Sequence, residues 1–287
     1  MPGRAFGRII LGQRMRELRE RAGVTREAAL AAIEKEGHHP DTLRKAEEGT
    51  RLLRKLEVTT LARLYGCTEA EVAGVRKLWD QAREPSAFAS FGLPEHVVAY
   101  LDLERAATEV RTFQNLIIPG MLQVEPYMRR LFQLAHVEPS VIDSWVQARL
   151  KRQERLRPSK DAPDPVQLIA VIGEEALLRC VREPEGPDQL AALVEFANLE
   201  NVEIQIMDLD AKMHAGMAGS FTHLTFEDDV MGDFVYQETI SRGQLTDLAA
   251  TVRYLDTLFD ELRSQALDPT KSLTLIAQLA KQGGQAA

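Results

Sequence analysis

Two sets of side chains in this sequence have the types and spacing to recognise something. The first lies near the N-terminus, where His39, Thr42, Arg44 and Lys45 sit in and before a short helical stretch. Arg51, Arg54 and Lys55 follow close behind. Arginine can grip a guanine edge through two parallel N–H donors, and lysine meets a phosphate as a point charge, so this set suits duplex DNA. The second set is spread over the later chain: Arg111, Gln123, Arg149, Arg152 and His214. Arg149, Arg152 and Gln153 share roughly one helical face, which suits either internal ion pairs to Glu104 or Glu109, the commoner use, or a pocket for an acidic ligand or partner. His214 lies in Met-His-Ala-Gly and reads as a turn residue hydrogen-bonded to backbone. No nucleophile–base pair, metal-ligand spacing or phosphate-cradling glycine loop emerges, so neither an enzyme nor a metal or cofactor site is expected.

The first set needs a scaffold, and the preceding residues supply one. Leu11, Met15, Leu18 and Ala22 recur at helical spacing, Gly23 stops that helix, and Thr25 can cap the next, Arg26 to Ile33. A polar turn with Gly37 leads to a third segment from Pro40 to Glu48, closed by Gly49. In this order the three segments form a helix-turn-helix whose last helix can enter a major groove. Leu43 and Ala46 should face inward, leaving Thr42, Arg44 and Lys45 outward beside His38 and His39. Asp41, Glu34 and Glu36 oppose phosphate there. A helix from about Leu56 to Tyr65 ends at Gly66, and Thr68 with Glu71 has capping-box spacing for a further helix bearing Val72, Val75, Leu78 and Trp79.

Residues 84–94 contain two prolines and break the periodicity, so they mark a linker. Beyond them a helix is expected over Glu95–Arg111, a turn at Pro119-Gly120, a helix from Pro126 to Leu134 and a basic helix over Val141–Arg157. Four strands, Val166–Ile172, Val202–Met207, Ser220–Phe226 and Phe234–Gln237, alternate with helical stretches at Glu174–Val181 and Pro187–Leu199. A long helix from about Gln244 to Ala266 and a final one from Pro269 to about Lys281 close the chain. The expected fold class is α+β: an all-α helix-turn-helix domain over 1–84, a linker over 85–94, and a larger α+β domain with a small mixed sheet over 95–287.

Charge partitions along the chain. The whole carries a net −8, yet residues 1–84 hold 17 Lys and Arg against 13 Asp and Glu. A mildly basic head on an acidic body fits a nucleic-acid reader with a separate second function. Two cysteines, Cys67 and Cys180, cannot build a disulfide framework. With no signal peptide and no apolar run of membrane-spanning length, a cytoplasmic protein is expected.

The run Leu11-Gly12-Gln13-Arg14-Met15-Arg16-Glu17-Leu18-Arg19-Glu20-Arg21-Ala22-Gly23, then Thr25 and Glu47-Glu48-Gly49, resembles the XRE (lambda-repressor-like) helix-turn-helix class. That resemblance implies an architectural pair between Glu47 and Arg16 or Arg19. From Thr25 to Gly49 the chain is about three residues longer than that class, the surplus falling in Glu34–Pro40. Further on, Leu103–Arg111, Ile118–Tyr127, Ala148–Gln153, Glu175–Arg179, Asn201–Gln205, His214–Gly216 with Gly219–Phe221, and Tyr236–Glu238 resemble a family of bacterial regulators. In that family an XRE head carries an antitoxin-like C-terminal domain (the Scr-type antitoxin-like regulators). The segment Cys180–Pro187 is bulkier and more charged than the glycine-rich turn usual there. The resemblance implies a sequence-specific transcriptional regulator binding double-stranded DNA, and a small partner protein encoded nearby. A homodimer is expected because one short helix reads few base pairs. The alternative is an antitoxin-like sequestering module with weak or no DNA binding.

Overall fold

The computed structural model describes residues 4–33, 39–158, 164–227, 232–238 and 243–286. The expected turn at Gly37, with His38, Glu34 and Glu36, lies outside the described residues. Contacts divide the chain into two units. One runs through Ser90 and takes in Val97–Ala106; the other comprises Phe91–His96 and the described residues from Ala107 on.

The first unit is all helix: α1 (Arg4–Arg21), α2 (Arg26–Ile33), α3 (Thr42–Glu47), α4 (Lys55–Leu64), α5 (Glu69–Gln81) and most of α6 (Glu95–Ala106). Leu11, Met15 and Leu18 of α1 share a core with Ala29, Ile33, Leu43, Val58, Leu61, Val72 and Val75. Their spacing puts one apolar stripe per helix toward that core, which is what holds such short helices in shape. The helix stops fall where glycine was expected, with Gly23, Gly49 and Gly66 at φ of +65°, +72° and +74°. Thr25 Oγ1 accepts from the Ala28 amide at 3.2 Å, and Thr68 and Glu71 exchange capping bonds at 3.3 and 2.8 Å. Gly12 lets α1 touch the end of α3: a Cβ there would lie 2.5 Å from the Ala46 carbonyl oxygen.

The second unit is built on a six-stranded mixed sheet. Its elements are β1 (Glu109–Gln114), α7 (Glu125–Leu134), α8 (Pro139–Gln153), β2 (Gln167–Gly173), α9 (Glu174–Val181), α10 (Gly186–Phe196), β3 (Val202–Met207), β4 (Phe221–Thr225), β5 (Phe234–Glu238), β6 (Gly243–Thr246), α11 (Ala249–Gln265) and α12 (Pro269–Ala286). The strand order is β3-β2-β1-β4-β5-β6, with β1, β2 and β3 parallel and the rest antiparallel. Two-helix crossovers join the parallel strands, as that geometry demands. Phe113, Val171, Met207, Phe221 and Val235 line one face and pack on Leu255, Leu258, Phe259 and Leu262 of α11.

The α+β architecture expected from the sequence is therefore present, with differences of detail. The helix expected to run to Arg111 stops at Ala106, and Glu109–Gln114 is instead the central strand. A charged residue is tolerated at that position because Arg111 reaches out of the sheet to acidic side chains of α11. The helix expected from Gln244 begins at Ala249, because Gly243–Thr246 pairs with β5 as an edge strand. The final helix continues to Ala286 rather than stopping near Lys281.

Candidate nucleic-acid interface

The N-terminal cations are positioned by one buried ion-pair cluster. Glu47, at the end of α3, accepts from Arg19 Nε at 2.6 Å and Nη2 at 3.2 Å, and from Arg26 Nε at 2.8 Å. Arg19 also donates to the Val24 carbonyl at 3.1 Å. Three helices are thereby tied at one carboxylate, and of the two partners expected for Glu47 it is Arg19 that pairs with it. The planar fork of Arg19 matches the two carboxylate oxygens, which makes this contact directional as well as attractive. Tyr65 lies buried beside the cluster, and burial pushes its phenol upward, with the Glu47 charge adding to the effect.

That clamp fixes which residues of α3 face outward. Leu43 is buried in the core, as expected, and Ala46 is half-buried. Thr42 departs from expectation. It is fully buried, and its Oγ1 accepts from Arg51 Nη1 at 3.1 Å, so it supports the helix start and presents nothing to a base edge. The exposed face consists of Arg44, Lys45 and Glu48, with half-exposed Asp41 at its start. Arg44 is held from both sides, by Asp41 Oδ1 at 3.3 Å and Glu48 Oε1 at 2.8 Å. The Arg44 guanidinium keeps the Asp41 carboxyl below its usual range. Such exposed pairs are weak and screened by salt, so a phosphate or a guanine edge can compete for Arg44. Lys45 is exposed and makes no ion pair with a described residue.

The flanking residues are more committed. His39 is exposed, and its Nδ1 accepts from the Asp41 amide at 3.2 Å, shaping the entry to α3. Arg54 is exposed, with its Nε on Glu57 Oε1 at 2.7 Å, while its backbone amide donates to the other oxygen of Glu57 at 2.8 Å. Lys55 Nζ lies 2.7 Å from Asp80 and 5.3 Å from the centre of the Trp79 ring, so its charge serves the α4–α5 contact. The outward set is thus Arg44 and Lys45 on α3, with Arg51 and Arg54 beyond its end.

The second set divides. Gln123, Arg149 and Arg152 come together, whereas Arg111 and His214 belong elsewhere. Arg111 Nε donates to Glu109 at 2.7 Å and its Nη1 to Asp256 at 2.9 Å. Asp256 also lies 3.2 Å from Nδ1 of the buried His223, whose Nε2 is 2.8 Å from Asp233. His214 stands edge-on to Phe113 with ring centroids 5.9 Å apart, and its buried Nδ1 has no hydrogen-bond partner among the described residues. Aromatic packing, not the expected backbone bond at that nitrogen, holds the ring.

Around the Ile118–Val124 loop, three glutamines act as staples. Gln123 Nε2 donates to the Ile118 carbonyl at 2.7 Å, Gln153 Nε2 to the Gln123 carbonyl at 2.5 Å, and Gln189 Nε2 to the Leu122 carbonyl at 2.7 Å. Arg149 donates to Gln123 Oε1 and lies 4.3 Å from the centre of the Phe132 ring. It forms no ion pair with a described carboxylate, in place of the expected bridge to Glu104 or Glu109. Glu109 is engaged with Arg111, and Glu104 accepts from the Tyr100 hydroxyl at 2.5 Å. The stapling role of Gln189 and the ring beneath Arg149 were not read from the sequence, because both partners lie far away along the chain.

Among the described residues no group of three or more His, Cys, Asp and Glu side chains could hold a metal ion. No helix among them is long and apolar enough to cross a membrane. No curated protein and no solved structure matches the chain. Residues 10–74 match a helix-turn-helix domain, which spans the Glu47 clamp and the exposed face of α3. Residues 97–278, well over half the chain, match the domain of unknown function DUF5753, and the chain belongs to that family.

Proposed function

We propose that this protein is a sequence-specific transcriptional regulator of the XRE type, with α3 as the helix that enters the major groove. The observation that carries this reading is the helix-turn-helix match over residues 10–74 together with the clamp on Glu47, which turns Arg44 and Lys45 outward. In the proposed complex Arg44 exchanges Asp41 and Glu48 for a base edge, Lys45 meets phosphate, and Arg51 and Arg54 extend the backbone contacts. Two copies acting on paired half-sites supply the specificity that one six-residue helix lacks. The second unit serves as the control element, binding a ligand or a small partner protein of the kind the antitoxin-like resemblance implies. The site of action is the cytoplasm.

Gel retardation on the DNA upstream of the protein's own gene tests this. Specific retardation is expected to weaken steeply with salt as counterions are released, and Arg44→Ala with Lys45→Ala should abolish it while the helical signal stays unchanged. Unchanged binding by that double variant would remove α3 as the reader. The two carboxylates that hold Arg44 favour one rival reading, a sequestering module with a weak DNA head. Tight co-purification of a small neighbouring protein without retardation at low salt is the outcome that reading requires.

A further inference from the structure

We propose that Arg149 is the centre of an oxyanion site in the second unit, taking the phosphate or carboxylate group of a small acidic metabolite. The inference rests on the reading of that unit as a control element and names the chemistry of its ligand. Arg149 is half-buried on α8, and its one hydrogen bond to a described residue goes to a neutral amide, Gln123 Oε1. Buried cations ordinarily face a carboxylate, because desolvating a charge without a counter-charge is costly. Here exposed Glu238 acts on Arg149 electrostatically but forms no ion pair with it, and Arg152 adds a second positive charge three residues along the helix.

The surroundings hold the guanidinium ready for an incoming anion. The Phe132 ring supports its flat face at 4.3 Å, and Gln123 fixes one edge. Gln123 is in turn pinned by its bond to the Ile118 carbonyl, while Gln153 holds its backbone and Gln189 that of Leu122. Such support holds in place the planar fork that binds a carboxylate or phosphate through two parallel bonds, and its remaining N–H groups make no hydrogen bond to a described residue. Gly120 completes the arrangement, since a Cβ there would lie 2.7 Å from Arg152 Nη1 and push that guanidinium aside. Burial and the neighbouring Arg152 pull Arg149 down to about 10, so it stays charged at neutral pH while carrying an electrostatic penalty that a bound anion relieves.

The test uses the full-length protein in calorimetry and thermal melting, with inorganic phosphate, citrate and acetate compared against chloride at equal ionic strength. Phosphate or citrate at ten times its Kd should raise the melting temperature of the second unit by roughly 3–6 °C. A response to phosphate alone assigns a phosphate group, and a response to citrate and acetate alone assigns a carboxylate. Arg149→Gln should lose about tenfold or more in affinity. Should that variant fold poorly, Gly120→Ala serves as the second probe: it displaces only the flexible end of Arg152 and should also weaken binding. No difference between any of the anions and chloride in the wild type, or unaltered affinity in both variants, overturns the assignment. These readouts contain no DNA, so their failure leaves the DNA-binding proposal standing, and loss of retardation leaves this one standing.

Discussion

Asp102 offers a stability prediction with a definite sign. Its side chain in α6 is fully buried; Oδ1 accepts from Ser86 Oγ at 2.7 Å, and Oδ2 has no hydrogen-bond partner among the described residues. Burial raises this carboxyl from 3.8 to about 6, against the smaller opposing effects of Ser86 and Arg105. Between those values the folded chain binds a proton that the unfolded chain has released. Stability therefore falls as pH rises through this window and stays lower above it. At about 1.4 kcal/mol per unit the full window amounts to about 3 kcal/mol. About 2 kcal/mol of that lies between pH 4 and pH 7.5, because pH 4 is already above the unfolded value. Asp102→Asn removes the titration and keeps an acceptor for Ser86, and any constant cost of the amide cancels when the two proteins are compared across pH. Calorimetric unfolding of the first unit at pH 4 and pH 7.5 should show the difference between variant and wild type moving by about 2 kcal/mol in favour of asparagine at the higher pH. A difference that does not change with pH would refute desolvation of Asp102 as the source of the effect.

Three further outcomes follow from the head. Glu47→Ala strands the buried Arg19 guanidinium and should cost the first unit about 3–5 kcal/mol in urea unfolding; a loss under about 1 kcal/mol would show that the clamp is not structural. Gly12→Ala should also destabilise that unit, by about 1–3 kcal/mol, although alanine is the better helix former, because the added Cβ meets the backbone of Ala46 and Glu47. An unchanged melting temperature would contradict the close approach of α1 to α3. Glu71 is held down to about 2 by the Thr68 amide and by Arg21, so its contribution is complete above the ordinary carboxylate value of 4.5 and disappears as pH falls toward 2. Urea midpoints of wild type and Glu71→Gln should therefore converge on acidification from pH 6 to pH 3, and parallel curves would disprove the shift.

The head was legible because its signals are local. Leu11, Met15 and Leu18 lie on one stripe, Thr25 and Thr68 cap the helices they precede, and three glycines stop helices where they stand. Thr42 was misread because a polar residue at a helix start also serves as a buried acceptor, and only the fold brings Arg51 back to it. In the second unit, Val166–Ile172 and Val202–Met207 read as strands from their short, β-branched stretches bounded by turn residues, and they pair in parallel with each other. Strand β1 was hidden because Glu109–Gln114 continues a helical pattern and becomes a strand through pairing with segments about 60 and 110 residues away. Arg111 looked like a ligand contact for the same reason: its partner Asp256 lies 145 residues along the chain. Local spacing thus revealed the helices and several candidate cations, while long-range pairing decided which cations remain available.

The central claim is that the exposed face of α3 reads a particular DNA sequence. The most direct measurement is genome-wide mapping of the DNA recovered with the full-length protein, run beside the Arg44→Ala, Lys45→Ala double variant. Discrete sites sharing one motif are predicted for the wild type, with two half-sites spaced by about one helical turn, and their loss in the variant. Recovery of no enriched sequence by the wild type, or the same sites by both proteins, would contradict it.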